Sequence, residues 1–126
     1  VKEAIATAGA PAALGPYSQA VKTGGLVFTS GQLGLVPATG ELVSDDVAEQ
    51  VAQCIDNLEA ILAEDGLTLA DVVKTTVYLR SMGDFAAMNA VYAERFPAPF
   101  PARSAVEVGP LAKNALVEIE AVAVRR

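Results

Sequence analysis

The 126-residue chain contains no histidine, no tryptophan and a single cysteine, Cys54. Without histidine, a Cys/His zinc cluster, a Ser-His-Asp triad and a Cys-His pair are all excluded. Any catalysis must run on carboxylates, arginine, lysine, hydroxyls or backbone groups. One cysteine also rules out an internal disulfide, which fits a reducing compartment. Nothing approaches the ~20 consecutive apolar residues of a membrane-spanning helix. The opening Val1-Lys2-Glu3-Ala4-Ile5-Ala6 lacks the apolar centre of a signal peptide. The expectation is a cytoplasmic protein with no membrane partner. Positive charge is scarce too: nine lysines and arginines face fifteen acidic residues, for a net charge of −6. Phosphate backbones are bound through basic side chains with release of counterions, so this balance speaks against a nucleic-acid partner.

What remains describes one globular domain covering residues 1–126, with 52% hydrophobic and 19% charged residues and no linker, repeat or low-complexity tract. Ile5 fits a short opening strand. Ala8 to Gln19 carries Gly9, Pro11, Gly15 and Pro16 and should be extended or looped, placing Tyr17 in irregular backbone. Val21 to Gln32 has the pattern of a hairpin turning at Gly24-Gly25, where glycine supplies positive φ angles. Ser30-Gly31-Gln32 then interrupts the strand, as a bulge or a close approach of a ligand would require. A second turn is expected at Pro37-Ala38-Thr39-Gly40.

Val47, Val51, Ile55, Leu58 and Leu62 form one apolar stripe of a helix that Ser44 can cap, with Asp45 and Asp46 in its first turn and Gly66 beyond its end. Gln50, Gln53, Asp56, Asn57 and Glu64 lie largely off that stripe, and Cys54 beside it suits packing. Asp71 to Arg80 is rich in β-branched residues and predicts a strand. Asp84 can cap a second helix with the stripe Phe85, Met88, Tyr92 and Phe96, and Asn89 at its edge. Pro97, Pro99 and Pro101 end that helix and lead into a strand carrying Arg103. A last strand runs from Leu116 to Val124. The class is therefore α+β, two helices on one face of a mixed sheet. Val117, Ile119 and Ala121 point one way; Leu116, Glu118, Glu120, Val122 and Val124 point the other. With apolar residues of both parities, the face without helices also needs cover, and a homo-oligomer is the simplest source.

Arg103, Glu107, Glu118 and Glu120 can be read as ordinary strand charges, paired or solvated. They can also be read as chemistry. A guanidinium grips a carboxylate through two parallel hydrogen bonds, and a nearby carboxylate can hold a water or move protons. Spacing alone does not choose between these.

Gly15-Pro16-Tyr17-Ser18-Gln19-Ala20, Thr29-Ser30-Gly31-Gln32, Thr39-Gly40, Lys74-Thr75-Thr76-Val77-Tyr78, Phe100-Pro101-Ala102-Arg103-Ser104 and Ile119-Glu120-Ala121-Val122-Ala123 together resemble the RidA/YjgF family, nearly end to end and in family order. The resemblance implies a chorismate-mutase-like (ferredoxin-like βαβ) fold assembled as a homotrimer with a barrel-like core and sites in clefts between subunits. It implies hydrolysis of 2-aminoacrylate-type enamines and imines to 2-keto acids and ammonia, with no metal or organic cofactor. Carried over by residue, Arg103 binds the substrate carboxylate and Glu118 orients or activates water. Tyr17, Ser30 and Asn89 line the cleft, and Gly31 and Ala105 contribute through backbone groups. Glu120 supports the site or core, and Glu107 is structural. Several bacterial relatives have cysteine where this chain has Ala105, so thiol chemistry at that position is excluded here. Two further classes fit the same resemblance: a 2-keto acid-binding regulatory module using the same cleft, and an endoribonuclease or translation inhibitor.

Overall fold

The computed structural model describes residues 1–126. Its strands are β1 (Glu3–Ile5), β2 (Ala20–Thr23), β3 (Leu26–Thr29), β4 (Gln32–Leu33), β5 (Val72–Leu79), β6 (Ala102–Glu107) and β7 (Val117–Val124). Two helices, α1 (Val47–Glu64) and α2 (Phe85–Arg95), lie between them in the chain. One sheet has the order β1-β2-β3-β7-β5-β6, with β4 also paired to β7. Only β5 and β6 run parallel, joined through α2 as a βαβ unit; the other pairs are antiparallel. The α+β class with two helices and a mixed sheet holds.

The α1 stripe is buried as its spacing requires, with Val51, Ile55, Leu58, Ile61 and Leu62 at 0% exposure. It packs on Val27, Val77, Val117 and Ile119 of the sheet within a core of 23 residues that also takes in Met88, Tyr92 and Phe96 of α2. Two polar residues expected off the stripe are buried as well: Gln50 and Asn57. Each satisfies backbone groups that have no strand partner. Asn57 Nδ2 donates to the Leu33 and Leu35 carbonyls, while Gln50 accepts from the Leu116 N–H and donates to the Ser44 carbonyl.

The helix caps differ from expectation. Asp46, not Ser44, caps α1, accepting from the Glu49 N–H at 3.0 Å; Ser44 Oγ accepts from the Asp46 N–H just ahead of it. Asp84 stands at the N-cap position of α2, as expected, but its side chain makes no capping hydrogen bond; a short 3₁₀ turn, capped by Ser81, leads into the helix. At the hairpin only Gly24 has positive φ, +54°, as a turn with one left-handed position needs. Phe28 pairs with Val122 and Gln32 with Ile119. Four steps along the first strand therefore match three along β7, and Ser30-Gly31 forms the bulge.

Facing away from the helices, Leu26, Phe28, Val106 and Val124 are 38–42% exposed. Leu26 pairs with Val124 and Phe28 with Val122 across β3 and β7, making a continuous apolar strip.

Candidate functional site

Arg103 sits on β6 directly beside Thr75 of β5 in the parallel register, so the two share the helix-covered face. Its guanidinium lies 4.7 Å from the Tyr92 ring centroid and 5.4 Å from that of Phe85. Nη1 donates to Asn89 Oδ1 at 2.8 Å. None of the six ion pairs of the fold involves Arg103, and Nε and Nη2 have no acceptor in the protein. Both rings turn their faces to the cation, and Asn89 occupies one corner of it. The remaining fork opens into a cleft of about 320 Å³ walled by Asn89, Tyr92, Phe100 and Pro101. A planar two-toothed donor left free in a partly apolar cleft is suited to a carboxylate.

Glu118 lies on the other side of the sheet. It pairs with Tyr78, whose hydroxyl donates to Glu120 Oε1 at 3.1 Å, so the two glutamates share the face turned from the helices. Burial, then the charge of Glu120, pushes the Glu118 carboxyl above the ordinary glutamate range. The Ser30-Gly31 bulge runs against it: a methyl group on Gly31 would come within 2.5 Å of Glu118 Oε1. Gly31 and the exposed Tyr17 line a second cleft of about 270 Å³ with Leu14 and Lys113. Behind them, buried Gln19 fixes the loop: its Oε1 accepts from the Thr7 N–H, its Nε2 donates to the Pro11 carbonyl, and its own carbonyl takes the Ser30 N–H. Ser30 Oγ donates to the Ser18 carbonyl.

The residues singled out in the sequence thus fall into two groups within the chain. Arg103 and Asn89 stand together at the α2–β6 edge, with Ala105 two residues along the same face and packed against the core. Tyr17, Ser30, Gly31 and Glu118 gather at the bulge beside β7. A single chain does not bring Arg103 and Glu118 onto one face. Glu107 accepts from the Met82 N–H at 2.8 Å, an anchoring contact between β6 and the turn before α2. Tyr92 and Phe85, which the periodicity assigns only to a core stripe, prove to carry the arginine. Lys113 was not singled out; its φ of +56° marks a tight turn that no local motif announces. No cluster of three or more Cys, Asp or Glu side chains converges to hold a metal, and no helix is long and apolar enough to cross a membrane.

The family profile described as Endoribonuclease L-PSP matches residues 7–125. A 2-iminobutanoate/2-iminopropanoate deaminase of Escherichia coli is 50% identical over 129 aligned residues covering all of both chains. A RutC family protein of Pyrococcus horikoshii is 52% identical, covering 98% of each chain. The crystal structure of E. coli TdcF with bound serine superposes with a TM-score of 0.92 at 41% identity, covering 98% of this chain and 99% of that one. With agreement of this extent in sequence and fold, the chain belongs to the RidA/YjgF family, the family described as endoribonuclease L-PSP.

Proposed function

We propose that the protein is a hydrolytic deaminase of 2-aminoacrylate/2-iminopropanoate and 2-aminocrotonate/2-iminobutanoate, releasing 2-keto acids and ammonia. It would remove reactive intermediates shed by other enzymes. The observation that carries this reading is the state of Arg103: held over two ring faces, fixed by Asn89 and left with a free donor fork. The name of the E. coli relative and the serine bound by TdcF, itself an α-amino acid with a carboxylate, support the same substrate class.

The two half-sites meet in a homotrimer, where Arg103 of one protomer faces Glu118 of the partner subunit across a cleft. The apolar strip of Leu26, Phe28 and Val124, with Val106 exposed on the same face of β6, supports such burial, since monomers rarely leave a sheet face this apolar in water. The barrel-like core follows from three such faces packed together.

In the mechanism, the enamine first tautomerises to the imine. Arg103 grips the carboxylate and fixes the imine carbon, with Tyr17, Ser30 and the Gly31 and Ala105 backbone shaping the cleft. Glu118 takes a proton from water as its oxygen bonds to that carbon, giving a carbinolamine. That proton goes to the imine nitrogen, and Glu118 then takes the carbinolamine hydroxyl proton and delivers it to the amine, so that ammonia leaves as the carbonyl forms. A carboxyl lifted towards neutrality by burial serves both transfers. Because the imine hydrolyses unaided, positioning and general-base effects of ~10²–10⁴-fold suffice. Replacing Arg103 with alanine should abolish accelerated keto-acid formation in stopped-flow decay of 2-iminobutanoate while leaving the trimer intact. Full activity in that variant would refute the reading.

The family description and the TdcF ligand keep two other roles in view. A regulatory module would bind 2-ketobutyrate without changing imine decay. An endoribonuclease would cut RNA after rigorous purification and lose that activity on mutation of the cleft; the net charge of −6 weighs against it.

A further inference from the structure

We propose that Tyr92, anchored by Thr75, is a positioning residue that preorganises Arg103 for the substrate carboxylate. The inference rests on the reading of Arg103 as the carboxylate clamp. Thr75 and Arg103 are backbone neighbours in the parallel β5–β6 register. The Thr75 hydroxyl, wholly buried, hydrogen-bonds the Tyr92 hydroxyl at 2.7 Å. The Tyr92 ring is stacked at 4.4 Å on Phe96 and lies 4.7 Å from the Arg103 guanidinium. Thr75, Tyr92 and Arg103 therefore close a triangle across two strands and a helix, with Tyr92 itself lining the cleft into which the free fork opens.

The physical consequence is entropic as well as electrostatic. A free arginine side chain surrenders considerable rotamer freedom when it clamps a ligand. One already held over a fixed ring, with Asn89 at one corner, has lost that freedom on folding, so less is lost on binding. The ring's negative face also offsets the cost of keeping an unpaired cation in a partly apolar cleft. If the hydroxyl bridge to Thr75 is cut, the ring can tilt and the fork loses its aim. A hydroxyl pair whose only purpose was packing would have no reason to affect charge recognition.

The test compares 2-ketobutyrate with its neutral amide as competitive ligands of the intact protein, using Tyr92→Leu, Tyr92→Phe, Thr75→Val and Arg103→Ala. Tyr92→Leu should weaken the acid roughly tenfold and leave the amide unchanged. Tyr92→Phe and Thr75→Val, which keep the ring and the packed volume, should weaken the acid about threefold, again without the amide. In turnover the loss should appear in KM, with kcat held within about threefold. Equal weakening of acid and amide, or no change in either for the two conservative variants, would overturn the proposal. Arg103→Ala separates the premise: acid binding retained there sinks the clamp itself, and the positioning role with it. Acid binding lost in Arg103→Ala but untouched by all three other variants sinks only the role of Tyr92.

Discussion

Gly31→Ala should abolish most of the activity while leaving the protein folded. Gly31 does not have the positive φ at which side chains are disfavoured, so alanine meets no backbone strain there. The three nearest atoms all belong to Glu118: the new methyl carbon would lie 2.5 Å from Oε1, 2.8 Å from Cδ and 3.0 Å from Cγ. Ordinary contact begins near 3.4 Å, so the carboxylate must retreat by about 1 Å, and it can, because it is the flexible end of a side chain. The stability cost should stay at or below about 1 kcal/mol, the low end of overpacking. A displacement of that size at a water-handling group is worth roughly 10²-fold in rate. Gly34→Ala is the control. There the added carbon meets the Gln50 Cα and carbonyl oxygen at 2.8 Å, both backbone atoms of α1 that cannot move independently. That variant should lose ~3 kcal/mol or fail to accumulate. Denaturant titration and stopped-flow decay of 2-iminobutanoate on both variants give the two numbers. A Gly31→Ala protein of normal stability and full activity would refute the role given to the Glu118 carboxylate.

Further outcomes follow from the same geometry. Since burial and the charge of Glu120 raise the Glu118 carboxyl, and the proposed mechanism has its basic form take the proton from water, kcat/KM should climb with pH through a midpoint above the usual ~4.3; Glu118→Gln should erase that limb. The folded state holds this proton more tightly than the unfolded chain, so the group costs stability once pH rises past the unfolded value. Glu118→Gln should therefore melt higher than the parent at pH 7, with the gap closing towards pH ~4. Asp65, lowered by its hydrogen bond to Lys22 and by Arg125, has the opposite sign: its contribution is present at neutral pH and lost on acidification. Asp65→Asn should cost about 1 kcal/mol, a few degrees in Tm, at pH 7 and little at pH ~2. Asn57→Leu should cost ~1–3 kcal/mol by stranding the Leu33 and Leu35 carbonyls, read out by denaturant midpoint.

Much of the fold was legible because its signals are local. The α1 stripe, the Gly24-Gly25 hairpin and the β-branched run of β5 each declare themselves within a few residues. Burial of Gln50 and Asn57 was not legible, since it depends on carbonyls 22 to 24 residues away in the case of Asn57. Asp46 rather than Ser44 as the cap shows the familiar ambiguity when several side chains of capping type adjoin. For the candidate site, composition narrowed the chemistry and resemblance named the residues. Alternation placed Glu118 and Glu120 together, and the fold agrees. It could not relate them to Arg103, because the face a strand residue takes depends on its register with a neighbour, and β5 pairs with β6 only after α2 brings the chain back. Tyr92 was hidden for the converse reason. A helical stripe looks the same whether a ring meets a leucine or an arginine.

The division of the site between protomers is the central claim, and subunit mixing tests it directly. Arg103→Ala and Glu118→Gln should each be inactive alone. Dissociated, combined in equal amounts and reassembled, they should recover about a quarter of the parent activity, because that share of clefts unites an intact Arg103 with an intact Glu118. If both residues acted within one protomer, no mixture of these two variants would contain a working site. Stopped-flow decay of 2-iminobutanoate by the mixed trimers decides it: recovery near a quarter supports the shared cleft, and none contradicts it.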